Sequence, residues 1–204
     1  MSKYYWILDA GHGGIRPDGT YTTAPAKMFT FSDGYTIYEG VINRVITKKL
    51  QGLLFQSGID FALVYDDVED IPLSRRVALA NKIFVKEPNA IYLSIHSNAG
   101  GGKGFEVFTS PGKSKSDAVA ALFCLKYMEH FKDFAFREDY SDGDADKESQ
   151  FYVLAKTNCP SILVENLFFD NRKEAEFLMS EDGQNRIAIC LFEAIKETEL
   201  KEPI

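Results

Sequence analysis

The feature that most constrains this chain is an apolar run that leads into a histidine and occurs twice. Residues 5–10 precede His12 in a Gly-His-Gly-Gly segment, and residues 90–95 precede His96, which three glycines soon follow. Short apolar runs of this kind predict buried strands. Glycine leaves the neighbouring backbone uncovered, so we expect each histidine just past a strand end, facing a ligand.

Strand and helix patterns alternate along the chain. Further strands are predicted at residues 60–65, 103–110, 151–155 and 160–165, and helices near 36–55, 72–86, 114–134, 173–179 and 184–199. Such alternation is typical of an α/β fold with functional groups at the carboxyl ends of parallel strands. We therefore predict one domain, residues 1–204, with three αβα layers and a twisted, largely parallel six-stranded sheet.

Composition and net charge limit the classes of partner that this chain is expected to bind. The chain has 204 residues, of which 45% are hydrophobic, enough for a core that needs no disulfides. The odd number of cysteines, outside any C-x-x-C pattern, predicts free buried thiols at Cys124, Cys159 and Cys190. A net charge of −7 argues against nucleic acid as a partner. Apolar runs far shorter than the ~20 residues of a membrane span argue against membrane insertion.

Two histidines at similar positions suggest a shared metal ion. A catalytic zinc site uses three protein ligands and leaves one position for water, and His12 and His96 would supply two nitrogens. Glu39, at the start of a predicted helix, is the candidate for the third ligand. The pattern from Thr36 to Glu39 equally fits a capping box, in which Glu39 only caps the helix. We interpret His130, within a helical pattern, as a surface or core residue.

Glu165 is a second carboxylate of interest. It follows the apolar residues 162–164 and precedes an apolar segment, which predicts a partly buried position at a strand end. Burial raises the pKa of a carboxyl group toward the range useful to a general base. A strand-end glutamate that simply points into water is the alternative interpretation.

Residues 15–35 form an unusually long connection. They combine prolines and glycines with several aromatic side chains, and they show no periodic pattern. Long loops without secondary structure are often functional, and the aromatic content predicts an ordered flap that lines a groove.

Taken together, these motifs resemble zinc-dependent N-acetylmuramoyl-L-alanine amidases of the Amidase_3 type, which include bacterial cell-separation enzymes and phage endolysins. The likeness covers nearly the whole chain. It rests on Leu8 to Gly14, Glu39 with Asn43, Leu73 with Arg76 and Ala80-Asn81, Ser94 to Ala99, Gly104-Phe105-Glu106, and Pro160 to Glu165 with Asn171. Ala10 replaces the usual proline, and Asn166-Leu167 stands where a glycine is common.

The resemblance implies that His12, Glu39 and His96 bind zinc and that Glu165 is the catalytic acid/base. It implies hydrolysis of the amide between N-acetylmuramic acid and L-alanine in peptidoglycan. A zinc peptidase that cuts the stem peptide, or a wall-binding module without activity, remains an alternative.

The place of action follows from the same resemblance. The chain shows no signal-peptide pattern at its start, which predicts synthesis in the cytoplasm and action on the cell wall after release or export. A phage or prophage endolysin fits this pattern, and a bacterial enzyme whose leader has been removed is the alternative. We expect a monomer.

Overall fold

The computed structural model describes residues 2–141 and 143–201. Its strands are β1 (Tyr5–Ala10), β2 (Met28–Thr30), β3 (Thr36–Tyr38), β4 (Phe61–Leu63), β5 (Ala90–Asn98), β6 (Glu106–Thr109), β7 (Lys147–Glu148) and β8 (Ser161–Phe168). Its helices are α1 (Glu39–Ser57), α2 (Leu73–Lys86), α3 (Lys115–His130), α4 (Tyr152–Lys156), α5 (Arg172–Met179) and α6 (Glu181–Leu200).

Six of the strands form one sheet in the order β4-β1-β5-β8-β6-β7. The four strands β4, β1, β5 and β8 are parallel, β6 is antiparallel to β8, and β7 is parallel to β6. The carboxyl ends of β1, β5 and β8 therefore lie along one edge of the sheet. This architecture confirms the predicted α/β domain with a largely parallel six-stranded sheet.

Helices cover both faces of the sheet, and the alternation of side chains along β1 shows how. Trp6 and Leu8 are fully buried in a large core that also contains apolar residues of α1, α3 and α6. Ile7 points the other way, into a smaller core shared with α2 and α4. Each such buried side chain stabilises the fold by about 1.5–3 kcal/mol. A strand buried on both faces is largely apolar, which explains the apolar residues 5–8, and its one charged residue, Asp9, is paired with Arg76.

One predicted strand is wrong. Residues 151–155 fold as most of helix α4, and its Val153 and Leu154 pack into the smaller core. The sixth strand of the sheet is instead β7, which lies at the end of the acidic segment 137–148. A short apolar run does not distinguish strand from helix, and a two-residue edge strand has no pattern to recognise.

The connection 15–35 is more regular than predicted. Its residues Met28–Thr30 form β2, which pairs antiparallel with β3 to make a small hairpin separate from the main sheet. Residues 36–38, predicted as the first residues of a helix, belong to this hairpin, and α1 begins at Glu39. The helix ends at Ser57, and its C-cap Gly58 has a left-handed conformation (φ 67°) that suits glycine.

Two further predictions concern the whole chain. Cys124, Cys159 and Cys190 are free and buried, as the sequence predicted. Within residues 2–141 and 143–201, no helix has both the length and the apolar character needed to cross a bilayer.

Candidate active site

His12, Glu39 and His96 meet at the carboxyl edge of the sheet. Their possible ligand atoms all lie within 4.8 Å of one another. Glu39 Oε1 is 3.2 Å from His12 Nε2 and 3.0 Å from His96 Nδ1. The two imidazole rings are nearly perpendicular, with centroids 4.9 Å apart. Three donors contributed by distant segments of the chain therefore converge on one point, an arrangement that can hold a metal ion.

His12 lies in the turn that follows β1, in a backbone conformation unusual for histidine. Its φ of 65° places it in the left-handed region, which only surrounding contacts can stabilise in a non-glycine residue. Its carbonyl oxygen accepts hydrogen bonds from Arg44 Nη2 at 2.7 Å and Arg76 Nη2 at 2.9 Å. Two buried guanidinium groups thus fix the turn that carries the first imidazole.

Gly11, beside His12, is required by the second histidine. A Cβ atom at position 11 would lie 2.1 to 2.5 Å from three atoms of the His96 ring. Real Cβ atoms do not approach other heavy atoms so closely, so a side chain here must displace the ring. The glycine lets the backbone of one ligand segment touch the side chain of the other.

Glu39 is the first residue of α1 and is almost fully buried. The predicted alternative, a capping box with Thr36, is wrong, because Thr36 belongs to β3 and the N-cap Tyr38 makes no side-chain capping bond. Burial raises the pKa of the Glu39 carboxyl, but hydrogen bonds from His12 and His96 outweigh burial and lower its pKa. Glu39 is therefore an ionised carboxylate between two imidazoles.

His96 reaches the site from inside a strand. The sequence predicted it just past a strand end, and this is wrong, because β5 continues to Asn98. Its carbonyl oxygen accepts a hydrogen bond from Asn166 Nδ2 at 3.0 Å, and Asn166 Oδ1 accepts one from Tyr127 at 2.7 Å. Strand pairing and Asn166 thus fix the backbone of His96, and the contact of its Nδ1 with Glu39 orients the ring.

The two imidazoles respond differently to their surroundings. Burial lowers the pKa of His12, and the hydrogen bond and charge of Glu39 only partly oppose this. Burial also acts to lower the pKa of His96, but the hydrogen bond and charge of Glu39 outweigh it, so the pKa of His96 is raised. The same carboxylate therefore favours protonation of one ring more than the other.

Glu165 lies beside His96 on the neighbouring strand. It is paired in register with His96 of β5, and with Glu106 of β6 on its other side. Burial, and then the negative charge of Glu39, raise the pKa of Glu165 to about 8 against an opposing effect of His96. The strand does not end at Glu165 as predicted but continues to Phe168, with Leu167 in a left-handed conformation.

A buried ion pair between Arg76 and Asp9 stabilises the strand ends that carry the site. Arg76 and Asp9 are each about 1% exposed and form a salt bridge, and Arg76 Nη1 also donates to the carbonyl oxygen of Ala10. The second oxygen of Asp9 accepts hydrogen bonds from Tyr92 at 2.6 Å and Ser94 at 3.1 Å. These contacts join the ends of β1 and β5 beneath the ligands.

The donor set fits a zinc ion. Glu39 Oε2 and Glu165 Oε2 are buried and make no hydrogen bond within the described part of the chain. A buried polar atom without a partner costs free energy, so such atoms at one point indicate a missing ligand. Two nitrogens and one carboxylate oxygen are a common protein contribution to catalytic zinc, with Glu165 left outside the set.

Sequence reasoning gave no role to Asn43, which it named only as part of the resemblance, or to Arg44, although both position the candidate ligands. Asn43 donates to Glu39 Oε1 and to the carbonyl oxygen of Gly11, and its Oδ1 accepts from the Ser97 hydroxyl. Arg44 was not singled out at all. A signal did exist: Glu39, Asn43 and Thr47 are spaced four apart on α1, so one buried helix face carries polar side chains. His130 lies apart from the site and pairs with Glu193 at 2.8 Å.

Comparisons with known proteins agree with one another. The family model described as N-acetylmuramoyl-L-alanine amidase matches residues 7–197. The endolysin of Bacillus phage SPP1 is 30% identical over 97% of this chain and 66% of its own length. N-acetylmuramoyl-L-alanine amidase CwlM of Bacillus licheniformis is 27% identical over 85% of this chain and 60% of its own length.

Solved structures extend the similarity to three dimensions. N-acetylmuramoyl-L-alanine amidase AmiC2 of Nostoc punctiforme is 25% identical, with a TM-score of 0.75 over 98% of each chain. The present chain matches 60% and 66% of the lengths of the two curated relatives described above.

Proposed function

Because this chain belongs to the N-acetylmuramoyl-L-alanine amidase family, we propose that it is a zinc-dependent hydrolase of peptidoglycan. The bond cleaved is the amide between the lactyl group of N-acetylmuramic acid and L-alanine, the first residue of the stem peptide. His12, Glu39 and His96 are the zinc ligands in this proposal, and Glu165 is the catalytic acid/base.

One observation carries the proposal. The three ligand side chains converge to within 4.8 Å, and Glu165 is held in register with one of them on the adjacent strand. Glu165 is thereby close to the ligands without hydrogen bonding to them. A hydrolase of amides needs both parts, a site for the metal and a separate group that transfers protons.

The roles of the residues follow from their chemistry. Zinc, when bound, lowers the pKa of water and polarises the scissile carbonyl. Glu165 accepts the proton of the attacking water and then donates it to the departing nitrogen of alanine. Its raised pKa suits it to both steps, because the carboxyl group can gain and lose a proton near neutral pH. Arg44 and Arg76 keep the His12 turn fixed while this occurs.

We assign the cell wall as the place of action and residues 15–35 as part of the substrate contact. Lys27, next to β2, comes within 3.7 Å of Glu39 Oε2, and its carbonyl oxygen accepts the Glu39 backbone N–H. This connection therefore borders the metal ligands. The name of the phage relative, endolysin, supports action on the wall.

The proposal is tested with Glu165→Gln on purified peptidoglycan. The amide side chain keeps the shape of glutamate but neither accepts nor supplies the proton, so turnover should fall by about 100-fold or more. Zinc content, measured by atomic absorption, should stay near one ion per chain. The matched control is Glu129→Gln on the exposed surface of α3, which should retain full turnover.

The products distinguish the amidase from its alternatives. Mass spectrometry should find intact stem peptides with L-alanine at the amino end. Fragments cut within the stem would instead identify a peptidase, and an unchanged turbidity of a wall suspension with zinc present would identify a module without activity. Near-normal turnover of Glu165→Gln would remove the role assigned to Glu165.

A further inference from the structure

A row of side chains extends from the candidate metal site across the sheet. His96, Glu165 and Glu106 are register partners on β5, β8 and β6. Directly opposed residues on neighbouring strands project from the same face. The row therefore begins at a metal ligand, passes the candidate acid/base, and ends two strands away at the buried carboxylate of Glu106.

Glu106 is fully occupied by partners. Its Oε2 accepts a hydrogen bond from Asn98 Nδ2 at 2.7 Å. Its Oε1 accepts from Arg137 Nε at 2.8 Å and from Lys147 Nζ at 2.6 Å. Two cations share one carboxylate, so these three side chains together carry one positive charge in a chain whose overall charge is −7.

Arg137 is held through its Nε, which leaves its two Nη groups available to a further partner. Its Nε is bonded to Glu106, and its guanidinium stacks over the Phe168 ring, 5.4 Å from the centroid. Within the described residues, its two Nη groups make no hydrogen bond, and its side chain is 41% exposed. A guanidinium fixed at Nε and open at both Nη groups presents the fork that binds a carboxylate with two parallel hydrogen bonds.

Lys147 adds a second donor at the same place. Its side chain is 23% exposed, so the ammonium is partly accessible beside the guanidinium. An ammonium has three donors, and Glu106 uses one of them. The pair thus offers several unused N–H groups on two positive charges.

We propose that Arg137 and Lys147 form a subsite for a carboxylate of the stem peptide, a proposal that rests on the amidase function above. Neighbouring strands are ~4.8 Å apart, so the pair lies roughly 10–15 Å from the metal ligands. An extended peptide spans this distance in about three to four residues. A carboxylate borne by the second to fourth stem residue therefore reaches the pair.

The distribution of charge on peptidoglycan also indicates how the substrate is oriented across the sheet. The glycan consists of neutral N-acetylated sugars, whereas the free carboxylates of peptidoglycan are on the stem. The stem thus crosses β8 toward β6, and the glycan lies on the opposite side, toward β1 and the 15–35 connection.

The experiment compares two muropeptides that differ only in whether the stem carboxylates are free or converted to carboxamides. For the unmodified enzyme, kcat/KM should be about tenfold higher for the free carboxylate form, mainly through a lower KM. Arg137→Gln should remove this preference by lowering kcat/KM for the carboxylate form alone. Lys147→Gln should do the same to a smaller extent, and Arg137→Lys should restore part of the preference.

The matched control is Arg186→Gln. Arg186 also binds a carboxylate, Asp133, and stacks over Phe131 at 5.1 Å, but it lies on α6 away from the row. This variant should retain the preference. The subsite is contradicted if the unmodified enzyme cleaves both substrates equally well, or if Arg137→Gln lowers both rates by one factor. Cleavage of both substrates would still leave the amidase function itself intact.

Discussion

His12 and His96 reach the same point from backbones of opposite character. His96 lies inside β5, where it pairs with Glu165 of β8 and directly follows the last pair with β1, between Ala10 and Ile95. His12 lies beyond the end of β1 in a left-handed conformation, held by hydrogen bonds from Arg44 and Arg76 to its carbonyl oxygen. The position of His96 therefore depends on the sheet, and the position of His12 depends on two buried arginine side chains.

The difference teaches where the site is vulnerable. A strand residue is positioned by many backbone hydrogen bonds, none of which is decisive alone. A strained turn persists only while its surroundings determine it, and here those surroundings are a few side chains. The predictions below test this contrast, beginning with the turn.

The largest effect is expected from Arg76→Met. The change leaves Asp9 as a buried carboxylate without its cation and removes donors from the carbonyl oxygens of Ala10 and His12. Breaking such a buried pair costs about 3–5 kcal/mol. The free energy of unfolding, measured in urea on the metal-free protein, should fall by this amount, and zinc affinity should fall as well.

The neighbouring Arg75 provides the control, because it is exposed on the same helix. Arg75→Met should change the free energy of unfolding by no more than about 0.5 kcal/mol. Equal effects of the two variants would contradict the special role of the guanidinium beneath the turn.

A smaller effect is expected from Gly11→Ala, which acts on both ligands together. The added methyl group would overlap the His96 ring, so the ring must move by about 1 Å. A misplacement of this size costs on the order of 100-fold in kcat/KM. Isothermal titration with zinc and assays on peptidoglycan should both show the loss.

Gly52→Ala is the matched change on α1, where nothing lies within 4 Å of the added atom. It should leave activity unchanged and stabilise the helix by up to about 1 kcal/mol. If Gly11→Ala behaved in the same way, the close approach of the two ligand segments would not matter for function.

The smallest expected effect is a difference between the pKa values of the two imidazole rings. In the metal-free protein the pKa of His96 is raised and that of His12 is lowered. Folding therefore favours the protonated form of His96 and the neutral form of His12. On titration from high to low pH, followed by NMR, His96 should take up its proton before His12, with apparent pKa values above and below 6.5 respectively. The reverse order would show that Glu39 does not favour His96.

Much of this arrangement could be predicted from the sequence because strong patterns carry it. The apolar runs before His12 and Glu165 mark buried strands, and they brought the right side chains to one edge of the sheet. The resemblance selected Glu39 as a ligand where the pattern alone left a capping box equally possible. The alternation of strand and helix patterns predicted the largely parallel six-stranded sheet.

The rest depends on contacts that no local pattern encodes. Arg44 lies on an otherwise ordinary amphipathic helix, and its importance arises only when the turn after β1 packs against it. Strand β7 has two residues and owes its conformation to pairing with β6. The prediction that each histidine lies just past a strand end was wrong for His96, because nothing in the sequence of residues 96–98 shows that β5 continues.

The β2–β3 hairpin is fixed at its base and exposed at its tip. Pairing of Met28 with Tyr38 and the bond from the Glu39 N–H to Lys27 anchor the hairpin at its base, next to a candidate ligand. Its exposed tip, residues 32–35, contacts the rest of the domain through Asp33, which pairs with Arg172 at 2.6 Å. Changes confined to the tip therefore act on its contact with Arg172 at the start of α5 and leave the base beside Glu39 in place.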